Sequence, residues 1–278
     1  MQKIFTSIHK ATILLLCTAY AAVAHAALVP ESDVWKLWET SDETNPATID
    51  HSDWQEILDV YLVADDPTGI NRFRYAAVTT ADRNHLQAYI DQLANTDPRD
   101  FNRSEQRAYW TNLYNALTVN LVVQYYPVKS IRKIEGGLFG LGPWDEELVE
   151  ISGAKLTLND IEHRILRPIF EDPRTHYAVN CASLGCPNLA KYAYTAANME
   201  SLLNEGARNF INSSRGVDIS DSQLRLSSIY KWFSADFGAN EAELIQHLRR
   251  YATPELAEQL ANFSGRLKYG YDWSLNEP

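Results

Sequence analysis

Ser104-Glu-Gln-Arg-Ala-Tyr-Trp-Thr-Asn-Leu-Tyr-Asn-Ala-Leu-Thr-Val-Asn-Leu-Val-Val-Gln-Tyr-Tyr126 is the stretch on which the fold turns. Its apolar residues Tyr109, Trp110, Leu113, Leu117, Leu121, Val122 and Val123 fall on almost every side of a helix. A helix that is apolar all round belongs in the middle of a domain, so the rest of the chain must wrap it. Pro127 ends it, because proline lacks the amide N–H and clashes with the preceding turn. Asn112 and Asn115 lie three apart on one face of this helix. A buried amide left unpaired costs about 1–3 kcal/mol, so both must find partners. Either they tie the central helix to neighbouring loops, or they line a pocket and bind a substrate.

Outward from this helix the pattern is helix-rich, with short hairpins inserted. Trp54, Ile57, Leu58, Tyr61 and Leu62 predict an amphipathic helix near Ser52–Val63, and Leu86, Tyr89, Ile90 and Leu93 predict a second. Asn71 to Val78 reads as a short strand. Downstream, Gly136, Gly137, Gly140, Gly142 and Pro143 mark a long loop with apolar residues running through it. Glu147–Ile151 and Lys155–Thr157 predict a hairpin turning at Gly153, and Thr157 with Asp160 forms an approximate capping box for a helix to Phe170. His176 to Cys181 reads as a short strand. Helices are expected near Thr195–Ile211, Ser227–Asp236, Glu241–Tyr251 and Pro254–Asn262, with a hairpin at Val217–Ile219 and Leu224–Leu226. The expectation is one helix-dominated α+β domain over residues 27–278.

The first residues carry Lys3 and Lys10 and no acid, then an apolar run from Ala11 to Ala24 and the small-x-small triplet Ala24-His25-Ala26. This is the pattern of a cleavable secretory signal over residues 1–26, and the run is shorter than the roughly 20 residues of a membrane span. The protein is therefore expected to be exported, to a periplasm or outside the cell, with no transmembrane segment. Its net charge of −11 excludes nucleic acid and anionic lipid as general partners. Of the three cysteines, Cys17 falls in the signal, and Cys181 and Cys186 remain in one short segment.

That segment, Asp172-Pro-Arg-Thr-His-Tyr-Ala-Val-Asn-Cys-Ala-Ser-Leu-Gly-Cys-Pro187, departs from its surroundings. A turn of small residues leaves backbone N–H groups free, as an oxyanion hole or a stabilised thiolate requires. The other reading is a Cys181–Cys186 disulfide that pins the turn, as an oxidising compartment favours. The spacing is not Cys-x-x-Cys, which disfavours a thioredoxin-like redox site. A thiol nucleophile needs a base, and His163 and His176 are near in sequence. On a regular strand His176 points away from Cys181, which leaves His163 as the base and His176 facing a substrate. Glu162 falls inside the apolar stripe Leu158, Ile161, Ile165, Leu166 and Ile169, so its carboxylate needs a partner. Arg167, Arg174 and His163 are candidates; Glu162 either pairs with an arginine or orients the histidine. A Cys₂His₂ metal set matches no familiar spacing. Phosphate-loop, dinucleotide and serine-elbow motifs are absent, so no cofactor is expected.

Tyr109-Trp-Thr-Asn-Leu-Tyr-Asn-Ala-Leu117, Leu156-Thr-Leu-Asn-Asp-Ile-Glu-His-Arg-Ile-Leu-Arg167 and Asp172 through Pro187, in this order, resemble the domain-of-unknown-function 547 family. The resemblance covers roughly residues 101–237, with residues 27–100 as an N-terminal extension, and carries over to Asn112, Asn115, Glu162, His163, Cys181 and Pro187. It implies no settled reaction. Some members of the family have the first cysteine without the second, which implies a thiol role for Cys181. The order His163 before Cys181 is also similar to permuted papain-like or transglutaminase-like enzymes. Together these imply a thiol-dependent hydrolase or acyl transferase acting on a small molecule or peptide, with Cys181 as nucleophile, His163 as base and Glu162 orienting it. The competing expectation is a non-catalytic envelope or extracellular binding module stapled by a Cys181–Cys186 bond.

Overall fold

The computed structural model describes residues 30–134, 142–220, 223–238 and 240–278. The expected signal, residues 1–26, and the glycine-rich loop up to residue 141 lie outside them. Helix α1 (Ser52–Tyr61) turns Trp54, Ile57, Leu58 and Tyr61 inward, and α2 (Thr80–Ala94) starts where the Thr79 side chain accepts from the Asp82 N–H. α1 packs on α2, and α2 lies against α3 (Arg103–Tyr125), in which every residue from Ala108 to Val123 is buried. Its start is fixed by Asn102, whose side chain accepts from the Glu105 N–H. The all-round apolar pattern thus marks the central helix as expected.

Between α1 and α2, Leu62–Val63 (β1) pairs antiparallel with Arg72–Phe73 (β2). The strand expected from Asn71 to Val78 is therefore only two residues long, and the chain then winds into a 3-10 turn at Tyr75–Ala77. The hairpin β3 (Val149–Ile151) and β4 (Ala154–Leu156) forms as expected. Its two turn residues, Ser152 and Gly153, both have positive φ (49° and 78°), which matches the twist of a tight hairpin. The capping box is also present: the Thr157 Oγ1 accepts from the Asp160 N–H, and the Asp160 carboxylate accepts from the Thr157 N–H. The helix that follows is π-helical over Asp160–Leu166 and passes into α4 (Arg167–Phe170).

The second half is built on α5 (Met199–Ile211) and a three-stranded sheet in the order β5 (Val217–Ser220), β6 (Gln223–Ser227), β7 (Arg266–Gly270). β5 and β6 form the expected hairpin. β7 lies parallel to β6, reached through α6 (Ile229–Trp232), α7 (Ser234–Phe237), α8 (Glu241–Tyr251) and α9 (Pro254–Ala261). The single helix expected over Ser227–Asp236 is thus two short ones, interrupted at Phe233. The result is a helix-dominated α+β fold with small sheets. Among the described residues no helix is long and apolar enough to cross a membrane.

Of the three apolar clusters among the described residues, two are large. One surrounds α3 and includes Val179, Ala182 and Leu189; the other lies under the β5–β7 sheet and includes Tyr177. The segment from Tyr177 to Ala182 therefore runs from one core to the other. It does not do so as a strand. Pro173–Tyr177 is a 3-10 helix, started by the Asp172 carboxylate accepting from the Arg174 N–H, and irregular chain follows to Cys181. The local Asp-Pro turn overrides the β-type residues beside it. The strand alternation that set His176 opposite Cys181 accordingly does not apply.

Candidate functional site

The chemistry-bearing residues fall into two assemblies. The first is the loop that carries both cysteines, and it hangs from the central helix at two points. Asn115 donates to the Ala178 carbonyl (2.9 Å) and accepts from the Asn180 N–H (2.9 Å). Asn112, one turn earlier, donates to the Tyr194 carbonyl (2.7 Å) and accepts from the Tyr194 N–H (2.9 Å). Both amides, expected to bind substrate or to tie loops, are engaged with backbone on their oxygen and nitrogen. They position the segment between Ala178 and Tyr194.

Asn180 closes the loop itself, accepting from the Ala182 N–H (2.8 Å) and donating to the Pro187 carbonyl (2.7 Å). Ala182 consequently takes a left-handed conformation, φ 56°, which costs a residue with a Cβ about 1 kcal/mol or more. From outside, the C-terminal residues Asp272–Asn276 lie along the loop as a strap. The Leu184 N–H donates to the Ser274 carbonyl (2.8 Å), the Gly185 N–H to Asp272 (2.8 Å), and Ala182 accepts from the Asn276 N–H (3.2 Å). Gly185 permits this approach: a Cβ there would lie 2.7 Å from the Asp272 nitrogen. Arg215 braces the far end through the Cys186 carbonyl (2.5 Å) and the Asn188 side chain (2.6 Å).

Inside the loop the Cys181 and Cys186 sulfurs are unbonded and 2.8 Å apart. Cys186 is buried, whereas Cys181 is partly exposed. The Cys181 N–H points at the Cys186 Sγ (3.0 Å), and the Tyr271 hydroxyl stands 3.0 Å from the Cys181 Sγ and 3.0 Å from the Ser183 hydroxyl. The two thiols titrate as a pair. Burial pushes the Cys186 thiol up, but hydrogen bonds from the Cys181 thiol, its backbone N–H and Tyr271 outweigh this and bring it below the ordinary value. The hydrogen bond to Cys186, burial and the Cys186 charge then hold Cys181 well above its ordinary value. Of the two, Cys186 is therefore the first to give up its proton.

Two expectations about the loop need correction. The turn does not leave a set of free backbone donors: the N–H groups of Cys181, Ala182, Leu184, Gly185 and Cys186 are all engaged, the middle ones because the strap pairs with the loop as a neighbouring strand would. Nor does His163 reach Cys181. Among the described residues no histidine hydrogen-bonds either sulfur; the groups on them are each other, the Cys181 N–H, Ser183 and Tyr271.

The histidines form the second assembly, with Glu162, Arg167 and Asp236. The Asp236 carboxylate takes Arg167 on both oxygens (2.6 and 3.0 Å) and His176 Nε2 at 2.6 Å. Glu162 accepts from the Tyr114 hydroxyl (2.9 Å) and lies 3.7 Å from His176 Nδ1 and 4.0 Å from His163 Nδ1. Arg174, a candidate partner for Glu162, instead pairs with Asp172 and Glu200. His163 Nδ1 faces the Arg167 guanidinium at 3.2 Å, so it serves as the acceptor and Nε2 carries the proton. Burial, and then the Arg167 charge, overcome the Glu162 carboxylate and hold the His163 pKa below its ordinary value. Burial would raise the Asp236 pKa, but His176 and Arg167 outweigh it and the net direction is down. Phe233 stacks on His176 at 4.1 Å and closes the assembly. Glu162, His163 and His176 are all buried, and Asp236 has a partly exposed side chain.

The sequence points to Asn112, Asn115, Glu162, His163, Arg167, His176, Cys181 and Cys186 of these assemblies, but not to Tyr114, Arg215, Asp236 and Tyr271. Tyr114 was within its reach, one residue from Asn115 on a buried helix. The other three come from distant parts of the chain. Elsewhere, Asp53, Glu56 and His85 bring ligand atoms within 4.8 Å of one another, and His85 is ion-paired to Asp53 at 3.1 Å.

Fold and site together define a helix-dominated α+β domain that holds a dithiol loop against its central helix. A family model described as a protein of unknown function, DUF547, matches residues 98–211, which supports assigning this segment to that family. The matched segment contains Asn112, Asn115, the π-helical turn and the whole cysteine loop, while Arg215, Asp236 and Tyr271 lie beyond it. No curated protein and no solved structure matches the chain.

Proposed function

We propose that the protein is an exported thiol–disulfide exchange protein in which Cys181 is the attacking sulfur and Cys186 its partner. One observation carries this reading: two unbonded sulfurs lie 2.8 Å apart, on a partly exposed Cys181 and a buried Cys186. A disulfide requires about 2.05 Å, so bond formation needs less than about 1 Å of movement. A bond is not needed to hold the loop. Asn115, Asn180, Arg215 and the strap already do so. In the chain-entropy account a loop this short gains only about 2 kcal/mol from a cross-link.

The pair supplies its own base. Cys181 passes its proton to the Cys186 thiolate and attacks one sulfur of a substrate disulfide; the substrate S–S bond breaks and a thiolate leaves. Cys186 gives its proton to that leaving thiolate and attacks the Cys181 sulfur, which expels the second substrate thiolate. Two electrons pass to the substrate, and Cys181 and Cys186 are left joined. Acyl transfer by a Cys181–His163 pair has less support. It lacks a base at the sulfur and a pair of convergent free N–H donors, both of which it needs.

Redox titration of the folded protein, read by mass spectrometry after alkylation, tests the reading. We expect a reversible dithiol–disulfide equilibrium, capture of a mixed disulfide by Cys186→Ser, and none by Cys181→Ser. A Cys181–Cys186 bond that mild reductant cannot open in the folded protein would sink the exchange reading and leave a staple in a binding module.

A further inference from the structure

The strap that covers the cysteine loop also forms a wall of a cationic groove. Lys129, Ser130, Arg132, Lys133, Asp272, Trp273 and Ser274 line an open groove of about 390 Å³. Lys129, Arg132 and Lys133 are exposed, and among the described residues none of the three makes an ion pair. Among the described residues Asp272 is the one carboxylate in the lining. Three exposed cations side by side, with no ion pair among the described residues, stand out on a chain of net charge −11, where acids outnumber bases.

The groove is joined to the thiols through aromatic rings. The Arg132 guanidinium lies over Trp273 (5.1 Å to the ring centre), the Trp273 ring is 4.6 Å from that of Tyr271, and the Tyr271 hydroxyl is 3.0 Å from the Cys181 sulfur. Lys129 is fixed to the same strap, its carbonyl accepting from the Leu275 N–H. At physiological salt the screening length is about 8 Å, so a ligand in this groove feels the three nearby cations more than the negative charge spread over the rest of the surface.

We infer that the groove selects anionic substrates for the thiol pair, namely disulfides carrying carboxylates, such as acidic peptides. This rests on the exchange reading for its chemistry, though binding to the groove does not. The test compares glutathione disulfide, which is anionic, with cystamine, which is cationic, as oxidants of the reduced protein. In the variant carrying Lys129→Gln, Arg132→Gln and Lys133→Gln, oxidation by glutathione disulfide at low salt should slow about tenfold, while oxidation by cystamine is unchanged or faster. At about 1 M salt, where screening acts within about 3 Å, the difference should close. Equal effects on both reagents, or no effect on either, would overturn the groove assignment.

Calorimetric titration of glutathione disulfide into Cys181→Ser, with and without the three charge changes, reads the groove separately. If the thiols prove inert but this binding exists and is lost on charge removal, the groove stands and the exchange reading falls. If the thiols are inert and no such binding is found, the groove assignment falls as well.

Discussion

The two polar assemblies use similar ingredients to opposite ends. Around Asp236 two histidines, two carboxylates, an arginine and a tyrosine are packed so that each charge faces a partner, with Phe233 laid over the imidazole. Around Cys181 there is no ion pair, only two sulfurs in contact with each other, on a partly exposed Cys181 and a buried Cys186. By residue type the first looks more like a catalytic centre, since it holds a Glu, an Asp and two His. By access the second does. Perturbed titration marks burial as readily as chemistry, and a reagent must reach the group that reacts. The histidine assembly is best understood as a lock between the π-helical turn and α7. The cysteine loop is the place where a substrate can arrive.

That contrast can be broken most severely at Asp236. Asp236→Ala removes the carboxylate shared by Arg167 and His176 and should cost about 3–5 kcal/mol in chemical denaturation, as the loss of one side of a buried pair does. Alkylation of Cys181 in the folded variant should change little. If the stability cost were near zero and thiol reactivity collapsed, the roles of the two assemblies would have to be exchanged.

The pH dependence should separate them next. The folded-state pKa of His163 is depressed, so its unfolded form takes up a proton first and stability declines as pH falls below about 6.5. The depressed Asp236 pKa contributes stability that is present above its unfolded value of 3.8 and is lost as pH falls through the folded value. Denaturant midpoints across this range check both. On the thiol side, the lowered Cys186 pKa means that alkylation of the pair should begin to rise below pH 9. A stability curve flat to pH 4 would remove the histidine assembly from its structural role.

Asn115→Ala joins the two comparisons. It loses two backbone hydrogen bonds, worth about 2 kcal/mol together, and releases the segment that delivers Cys181. Thiol alkylation should therefore become faster as the melting temperature falls. The smallest effect is expected at Cys181 itself. Cys181→Ala should stay within about 1 kcal/mol of the parent protein while abolishing exchange, because the loop is held by other groups.

What could be read in the sequence was whatever depends on neighbours in the chain. The central helix, the Thr157–Asp160 cap and the hairpin at Gly153 are local patterns, and each appears where its residues imply. Glu162 was visible as a carboxylate inside an apolar stripe, although its partner is Tyr114 on another helix. The burial of His163 beside Glu162 was less legible, because the turn is π-helical and its widened spacing turns both adjacent side chains inward. Asp172-Pro173 misled the reading of the next segment, where a local turn prevailed over β-type residues. The thiol environment was illegible for a simpler reason. Tyr271 is 90 residues from Cys181, and Asn188 and Arg215 are 27 residues apart with α5 between them, so no window of sequence contains the site.

The distance from Cys181 to its strap also has a consequence in time. Synthesis runs from the N-terminus, so both sulfurs emerge well before Tyr271, 90 residues downstream, has been made. Short loops close within about 10–100 ns, far faster than residues are added at about 5–20 per second. On a growing chain the two cysteines therefore meet each other long before their cover arrives. An early oxidant finds them as neighbours rather than as wandering thiols free to cross-link elsewhere. The strap is then a late arrival that encloses a partnership already made.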